Sequence, residues 1–368
     1  MNRLIHCHPS VLRDPENHGI PGVRALSYFA VLFSTPSGNT LIDRTHTIRT
    51  PIATRSLFPI PAFRHSTKTY EEICNERAME LLGRAAGANT PLYTFWSGGI
   101  DSTLVLVSLL KNATPEQKKN ITVLMTDDSI AENPNFYKDH VYGKLRTDSS
   151  VMFPYLLGDP VLITNGEQND QLFGLGVIKV FVKMFGMESM HAPYEKGKLF
   201  AFFNDLAHDE AIANLYIDLF DRLMQSAPVS ISTHFHYFWW INFALKWQET
   251  YLRMISATPR SKTKRITLDY LSTWYAPFYS TEDFQLWSMN NLDKRIKDTW
   301  KTYKWPAKEI IYHFTKDAEY RDNKTKSASL PNIMKQHRRF IAIDEEMQFY
   351  DTINLREFLD SEHDFVLS

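Results

Sequence analysis

The chain has 368 residues, 43% of them hydrophobic, enough to bury a large core in one large or two modest domains. Its 41 Lys and Arg against 42 Asp and Glu leave a formal charge of −1, which removes the strong positive field of a typical nucleic-acid binder, and its two cysteines, Cys7 and Cys74, exclude a disulfide framework and a Cys-rich zinc site. No stretch has the apolar length of a membrane span and the first residues lack the apolar core of a signal peptide, so the expectation is a cytoplasmic protein with no membrane partner.

In chain order, residues 1–88 read as a small β-rich region followed by a helix. Apolar runs at residues 25–33 and 40–42, set between Pro and Gly turns, predict short strands. Over residues 69–86, Ile73, Ala78, Leu81 and Leu82 recur near helical spacing and Gly87 marks the stop. Apolar runs at residues 92–96, 121–126 and 160–164 then alternate with helical patterns at 104–110 and 135–145. That alternation predicts an α/β architecture, a parallel sheet with helices on both faces, whose ligands bind outside the carboxyl ends of the strands.

Beyond Gly174 the pattern is mostly helical, with helices expected near 173–186, 199–225, 234–257, 283–300 and 306–316, and residues 340–345 read as a strand or docked tail. The expected domain spans are 1–88, 89–330 and a tail at 331–368. The aromatic run from Phe235 through Tyr237, Phe238, Trp239, Trp240 and Phe243 to Trp247 reads as helix core, because successive aromatics cannot all face one ligand. His234 and His236, with His191 and His208, have no cysteine beside them and a spacing that suits a strand better than a helical metal site.

The most informative segment is Ser97-Gly98-Gly99-Ile100-Asp101-Ser102-Thr103, placed where the strand at 92–96 turns into an apolar helix. Glycines allow positive φ and close approach to an anion, and the unpaired N–H groups of a helix start, with the helix dipole behind them, point at it. The lysine and spacing of a Walker A loop are missing. Asp101 beside a polyphosphate would repel it unless a hard cation such as Mg²⁺ bridged them. The plainer reading of the same residues is a Gly-Gly turn with Ser or Asp as an ordinary helix cap.

A second polar run, Asn165-Gly166-Glu167-Gln168-Asn169-Asp170-Gln171-Leu172-Phe173-Gly174, follows the strand at 160–164. Of its two acids three residues apart, one can hold a metal while the other manages a proton. Both Asp101 and Asp170 are expected in solvent-facing turns, serving a charge that the fold does not need.

Together the two runs resemble known signatures. The first is similar to the S-G-G-x-D-S loop of the PP-loop ATP pyrophosphatases, and the second resembles the G-E-G-x-D-E-x-F-G segment of the synthetase domain of asparagine synthetases, in the same order and with a helical region after it. The resemblance spans roughly residues 90–330. It departs at Gln168 and Leu175, where the family has glycine, and at Gln171, where it has glutamate.

The resemblance implies an ATP-dependent ligase. A carboxylate is adenylylated, pyrophosphate leaves, and an amine or ammonia displaces AMP to form an amide. On that analogy Ser97, Gly98, Gly99 and Ser102, with Thr103 next to them, bind the nucleotide phosphates, and Asp101 and Asp170 hold Mg²⁺. Met125, at the end of the second strand, lies near the adenine, Glu167 lies near the reacting carboxylate or amine, and Lys324, with Lys326 in reserve, supplies the transition-state cation. ATP and Mg²⁺ are the implied cofactors, and the implied partners are a small carboxylate and an amine. Asn2 stands where the glutamine-dependent enzymes carry their nucleophilic cysteine, so glutaminase activity is not expected. The alternative is a PP-loop enzyme that modifies a nucleobase or nucleic acid through an adenylylated intermediate.

Overall fold

The computed structural model describes residues 2–32, 42–174, 176–324 and 340–365. The chain separates into two compact units that share it in alternating pieces. One comprises Met1–Phe63, Asp170–Ser256 and Arg339–Ser368, the other Arg64–Asn169 and Ala257–Arg338. Seven strands occur among the described residues: β1 (Leu4–Cys7), β2 (Leu92–Phe95), β3 (Ile121–Met125), β4 (Arg146–Ser149), β5 (Leu162–Thr164), β6 (Ala342–Asp344) and β7 (Phe349–Tyr350).

The unit holding residues 64–169 is α/β. Its sheet has the order β4-β3-β2-β5 and every neighbouring pair is parallel. All five residues of β3 and all three of β5 are buried, which is why both read as continuous apolar runs. β4 has no such signal, since Arg146, Thr147, Asp148 and Ser149 are all exposed on the sheet edge. Charge and polarity there discourage pairing with another strand. The helix expected at 135–145 is only a short helix, Pro134–Phe136, running into a π-helical turn, Tyr137–Val141, which leaves the chain free to enter β4.

The Tyr70–Gly87 helix belongs with this sheet. Thr69 opens it with a reciprocal cap: Glu72 N–H donates to Thr69 Oγ1 at 3.2 Å and Thr69 N–H donates to Glu72 Oε2 at 2.7 Å. Its buried face, which includes Ile73, Cys74, Ala78, Leu81 and Leu82, packs against the Ile100–Asn112 helix. The Trp305–Thr315 helix packs on both.

The other unit carries an antiparallel sheet of order β1-β6-β7 beside helices. Residues 342–344, expected as a strand or docked tail, are β6 and pair with β1. The expected strand at 25–33 is instead the helix Val23–Leu32, with Val23, Ala25, Leu26 and Ser27 buried. A short apolar run does not distinguish a strand from a buried helix. Of the strand expected at 40–42, residues 40 and 41 lie outside the described residues.

The long helix expected at 199–225 is two, Lys196–Ala207 and Glu210–Gln225. The break falls at His208, with φ 50°, followed by Asp209, whose carboxylate caps the N–H groups of Ala211 and Ile212 at 3.0 and 3.2 Å. The aromatic helix His234–Leu245 is buried on every side, so its rings are core. His234 is held at both ring nitrogens, Nδ1 by the Ser189 carbonyl at 2.9 Å and Nε2 by the Glu195 N–H at 3.1 Å. No helix among the described residues is long and apolar enough to cross a membrane.

Candidate functional site

The site grows out of the parallel sheet. Because β2 lies between β3 and β5 and all run the same way, the segments after the three strands emerge along one edge. These are residues 97–103 after β2, the Asp127–Glu132 helix after β3, and residues 165–169 after β5.

In the first loop Gly98 has φ +74°, and Gly99, with φ −75°, stands at the start of the Ile100–Asn112 helix without a side-chain cap. The helix N–H groups are therefore not consumed by a capping side chain at that position. Ser97 and Ser102 close the loop on itself, with Ser97 N–H donating to Ser102 Oγ at 3.0 Å and the two hydroxyls 2.9 Å apart. Thr103 is fully buried and takes the Trp96 indole N–H at 3.1 Å, so it anchors the loop from below.

Gly98 is needed for a reason that its sequence context does not reveal. A Cβ there would lie 2.6 Å from the Ser129 carbonyl oxygen and 2.7 Å from Glu132 Cβ, so the loop presses directly on the Asp127–Glu132 helix. Gly166 does the same for the second motif: a Cβ on it would sit 3.1 Å from the backbone of Asp101 and Ser102. Two glycines thus bring three segments together.

A hydrogen-bond chain ties the two motifs. Asn169 Nδ2 donates to Asp101 Oδ1 at 2.7 Å, Tyr70 OH donates to Asn169 Oδ1 at 2.6 Å, and Tyr279 OH donates to the Asp101 carbonyl at 2.9 Å. Burial pushes both phenols well above their ordinary pKa, so both remain donors at working pH. The second turn is fixed in turn by Asn165, whose carbonyl takes the Phe278 N–H at 2.9 Å and whose Nδ2 donates to Tyr275 OH at 2.8 Å.

Asp101 does not serve solvent alone. Its Oδ1 also receives the ammonium of Lys304, whose side chain is 0% exposed against 18% for Asp101. The expectation of a carboxylate dispensable to the fold is therefore corrected: Asp101 forms an ion pair with a buried lysine. Lys304 itself has φ +60°, a left-handed conformation that costs a non-glycine residue on the order of 1 kcal/mol or more. Nothing local in Tyr303-Lys304-Trp305-Pro306 marks this residue in the sequence.

The remaining expected residues divide. Glu167 is 8% exposed in the turn after β5, and its N–H donates to Asn165 Oδ1 at 3.0 Å. Gln168, which stands where the resembled family has glycine, has φ +69° and is 1% exposed, so the turn keeps a glycine-like backbone without the glycine. Met125 ends β3 and is buried. Lys324 pairs with Glu132, the residue packed on Gly98, and its Nζ lies 3.3 Å from the Glu132 carbonyl. Lys326 and Leu175 lie outside the described residues.

Asp170 falls in the other unit, one residue past Asn169, and its carbonyl takes Asn242 Nδ2 at 3.0 Å. For Mg²⁺, the donor set of the α/β unit is a poor fit as it stands. Oδ1 of Asp101 already accepts from an ammonium and an amide. Compared with protein-family models and with curated proteins, the chain finds no match.

Proposed function

We propose that the α/β unit binds ATP with its phosphates on residues 97–102 and acts as an ATP-dependent, amide-forming ligase of the PP-loop type, similar to the synthetase part of asparagine synthetases. One observation carries the reading. The two motifs that share the resemblance are joined through Asn169 and Asp101 and packed glycine against helix start, at one edge of a parallel sheet, with a buried lysine on the same carboxylate.

In this reading Ser97, Gly98, Gly99 and Ser102 offer N–H and O–H donors to the departing pyrophosphate, and the positive end of the Ile100–Asn112 helix backs them. Thr103 holds the loop in place through Trp96. The substrate carboxylate oxygen attacks the α-phosphorus, the bond to the bridging oxygen breaks, and an acyl-adenylate forms. An amine then attacks the acyl carbon and AMP leaves with its oxygen, while Glu167 takes up the amine proton. Lys324, held by Glu132, and Lys304, held by Asp101, are the cations that this reading would draw on to offset charge as it builds on the phosphates.

The test is product analysis. Incubation with ATP and a panel of carboxylic acids, with and without ammonia, is expected to release AMP and pyrophosphate. ADP and phosphate as the main products overturn the reading, because the loop lacks the lysine that clamps β and γ phosphates in kinases and ordinary ATPases.

A further inference from the structure

A cavity of roughly 200 Å³ opens in the α/β unit between the Asn133–His140 segment and the end of the Trp305–Thr315 helix. Its floor is Phe136, Ile311, Asn133 and Tyr320, all buried. Its wall includes His140, whose ring sits 5.0 Å from Phe136 and 4.9 Å from Phe314, and its rim carries Asp139 and Asp317. Asp139 and His140 belong to the π-helical turn Tyr137–Val141, a backbone form that is rare and concentrated at functional sites.

The charges have a direction. Asp317 is already committed, accepting from Tyr320 N–H at 2.9 Å and Asn135 Nδ2 at 3.1 Å. The Asp139 carboxylate makes no hydrogen bond or ion pair with any described side chain and stands at the mouth. Lys316, also on the rim, is turned toward the Tyr312 ring, 6.0 Å from its centroid. Burial lowers the pKa of His140 below its ordinary value, so the imidazole is mostly neutral at pH 7 and presents a ring face instead of a positive charge. Phe136, Ile311 and the uncharged His140 ring in the lining, and an exposed carboxylate with no side-chain partner at the rim, where the Lys144 ammonium takes only the Asp139 backbone carbonyl, together suit a small organic cation.

We propose that this cleft is a binding site for a small primary amine with an apolar body, its ammonium held by Asp139 and its body against Phe136, His140 and Ile311. The proposal goes beyond the ligase reading and does not depend on it. Tyr320, on the cleft floor, donates its hydroxyl to the Gly98 carbonyl at 3.1 Å.

The test uses the full chain and three probes of one shape: 2-phenylethylamine, 2-phenylethanol and 3-phenylpropanoate. Binding is followed through the His140 imidazole proton signals, assigned with His140→Gln. The amine is expected to shift these signals saturably, with the alcohol and the acid about tenfold or more weaker. Asp139→Asn, at an exposed position, is expected to keep the circular dichroism of the parent and to weaken amine binding by about tenfold. Equal binding of the three probes, undiminished amine binding by Asp139→Asn, or amine binding that leaves His140 unmoved each overturns the proposal, as does the absence of amine binding.

Discussion

The Lys304–Asp101 pair makes the sharpest demand on the fold. Asp101→Asn takes the carboxylate away from an ammonium that is 0% exposed, and breaking a buried ion pair by removing one partner costs about 3–5 kcal/mol. Lys304→Met is milder, about 1–3 kcal/mol, because Asp101 is 18% exposed and keeps the Asn169 amide at 2.7 Å. The double variant places an apolar chain beside a neutral amide and is expected near the cost of Lys304→Met alone. The coupling energy is therefore about as large as the Asp101→Asn cost itself, about 3–5 kcal/mol, large against a typical total of about 5–15 kcal/mol. Urea titrations of the parent, both single variants and the double variant, followed by far-UV ellipticity and tryptophan fluorescence, measure it. Costs that add to within about 0.5 kcal/mol, or an Asp101→Asn cost under about 1 kcal/mol, would refute the pairing as a structural necessity.

Three further outcomes follow from other parts of the site. Gly98→Ala forces a Cβ to 2.6 Å from the Ser129 carbonyl at a positive φ, and a loss of about 2–5 kcal/mol is expected in the same titration; Gly83→Ala, on an open helix surface with nothing within 4 Å, is the control and is expected to be neutral or stabilising by up to about 1 kcal/mol. Burial lowers Lys308 to about 8 from its ordinary 10.5, so between those values the unfolded chain binds more protons and stability rises with pH. Below pH 8 the full cost of charging the buried amine is present, and Lys308→Met is expected to flatten the rise between pH 8 and 9, below the range where Arg44, lowered to about 9, adds its own; a parent and variant with the same slope there would remove Lys308 as its source. Under the ligase reading Glu167→Gln slows the amine step more than adenylylation, so acyl-adenylate accumulates on chromatography, and equal slowing of both steps would take Glu167 out of the amine step.

What the sequence disclosed of the fold tracks burial. β2, β3 and β5 are fully or almost fully buried, and an apolar run of that length between turn residues is the direct imprint of a covered parallel strand. β4 left no imprint because an edge strand needs no apolar side chains, only backbone partners from Thr122 to Met125. The Val23–Leu32 helix departs from the expected strand for the opposite reason: its apolar run carries no clear period, so the sequence pattern does not choose between strand and helix.

The site divides along the same line between local and long-range information. Ser97, Gly98, Gly99 and Asp101 could be found because turn chemistry and helix starts are written in neighbouring residues. Lys304 could not, since it reaches Asp101 from 203 positions away and its immediate neighbours give no cue. The glycines show how the two kinds of information meet. Close approach of an anion is the usual reason to expect glycine in such a loop, yet the absent Cβ atoms of Gly98 and Gly166 make room for Ser129, Glu132, Asp101 and Ser102 of the protein itself. The N–H groups that would face a phosphate can be held in place only if the backbone behind them is crowded. Lys304, on this network, and Gln168, beside it, are both left-handed, and strain of about 1–3 kcal/mol at each persists only where the surrounding structure over-determines the backbone.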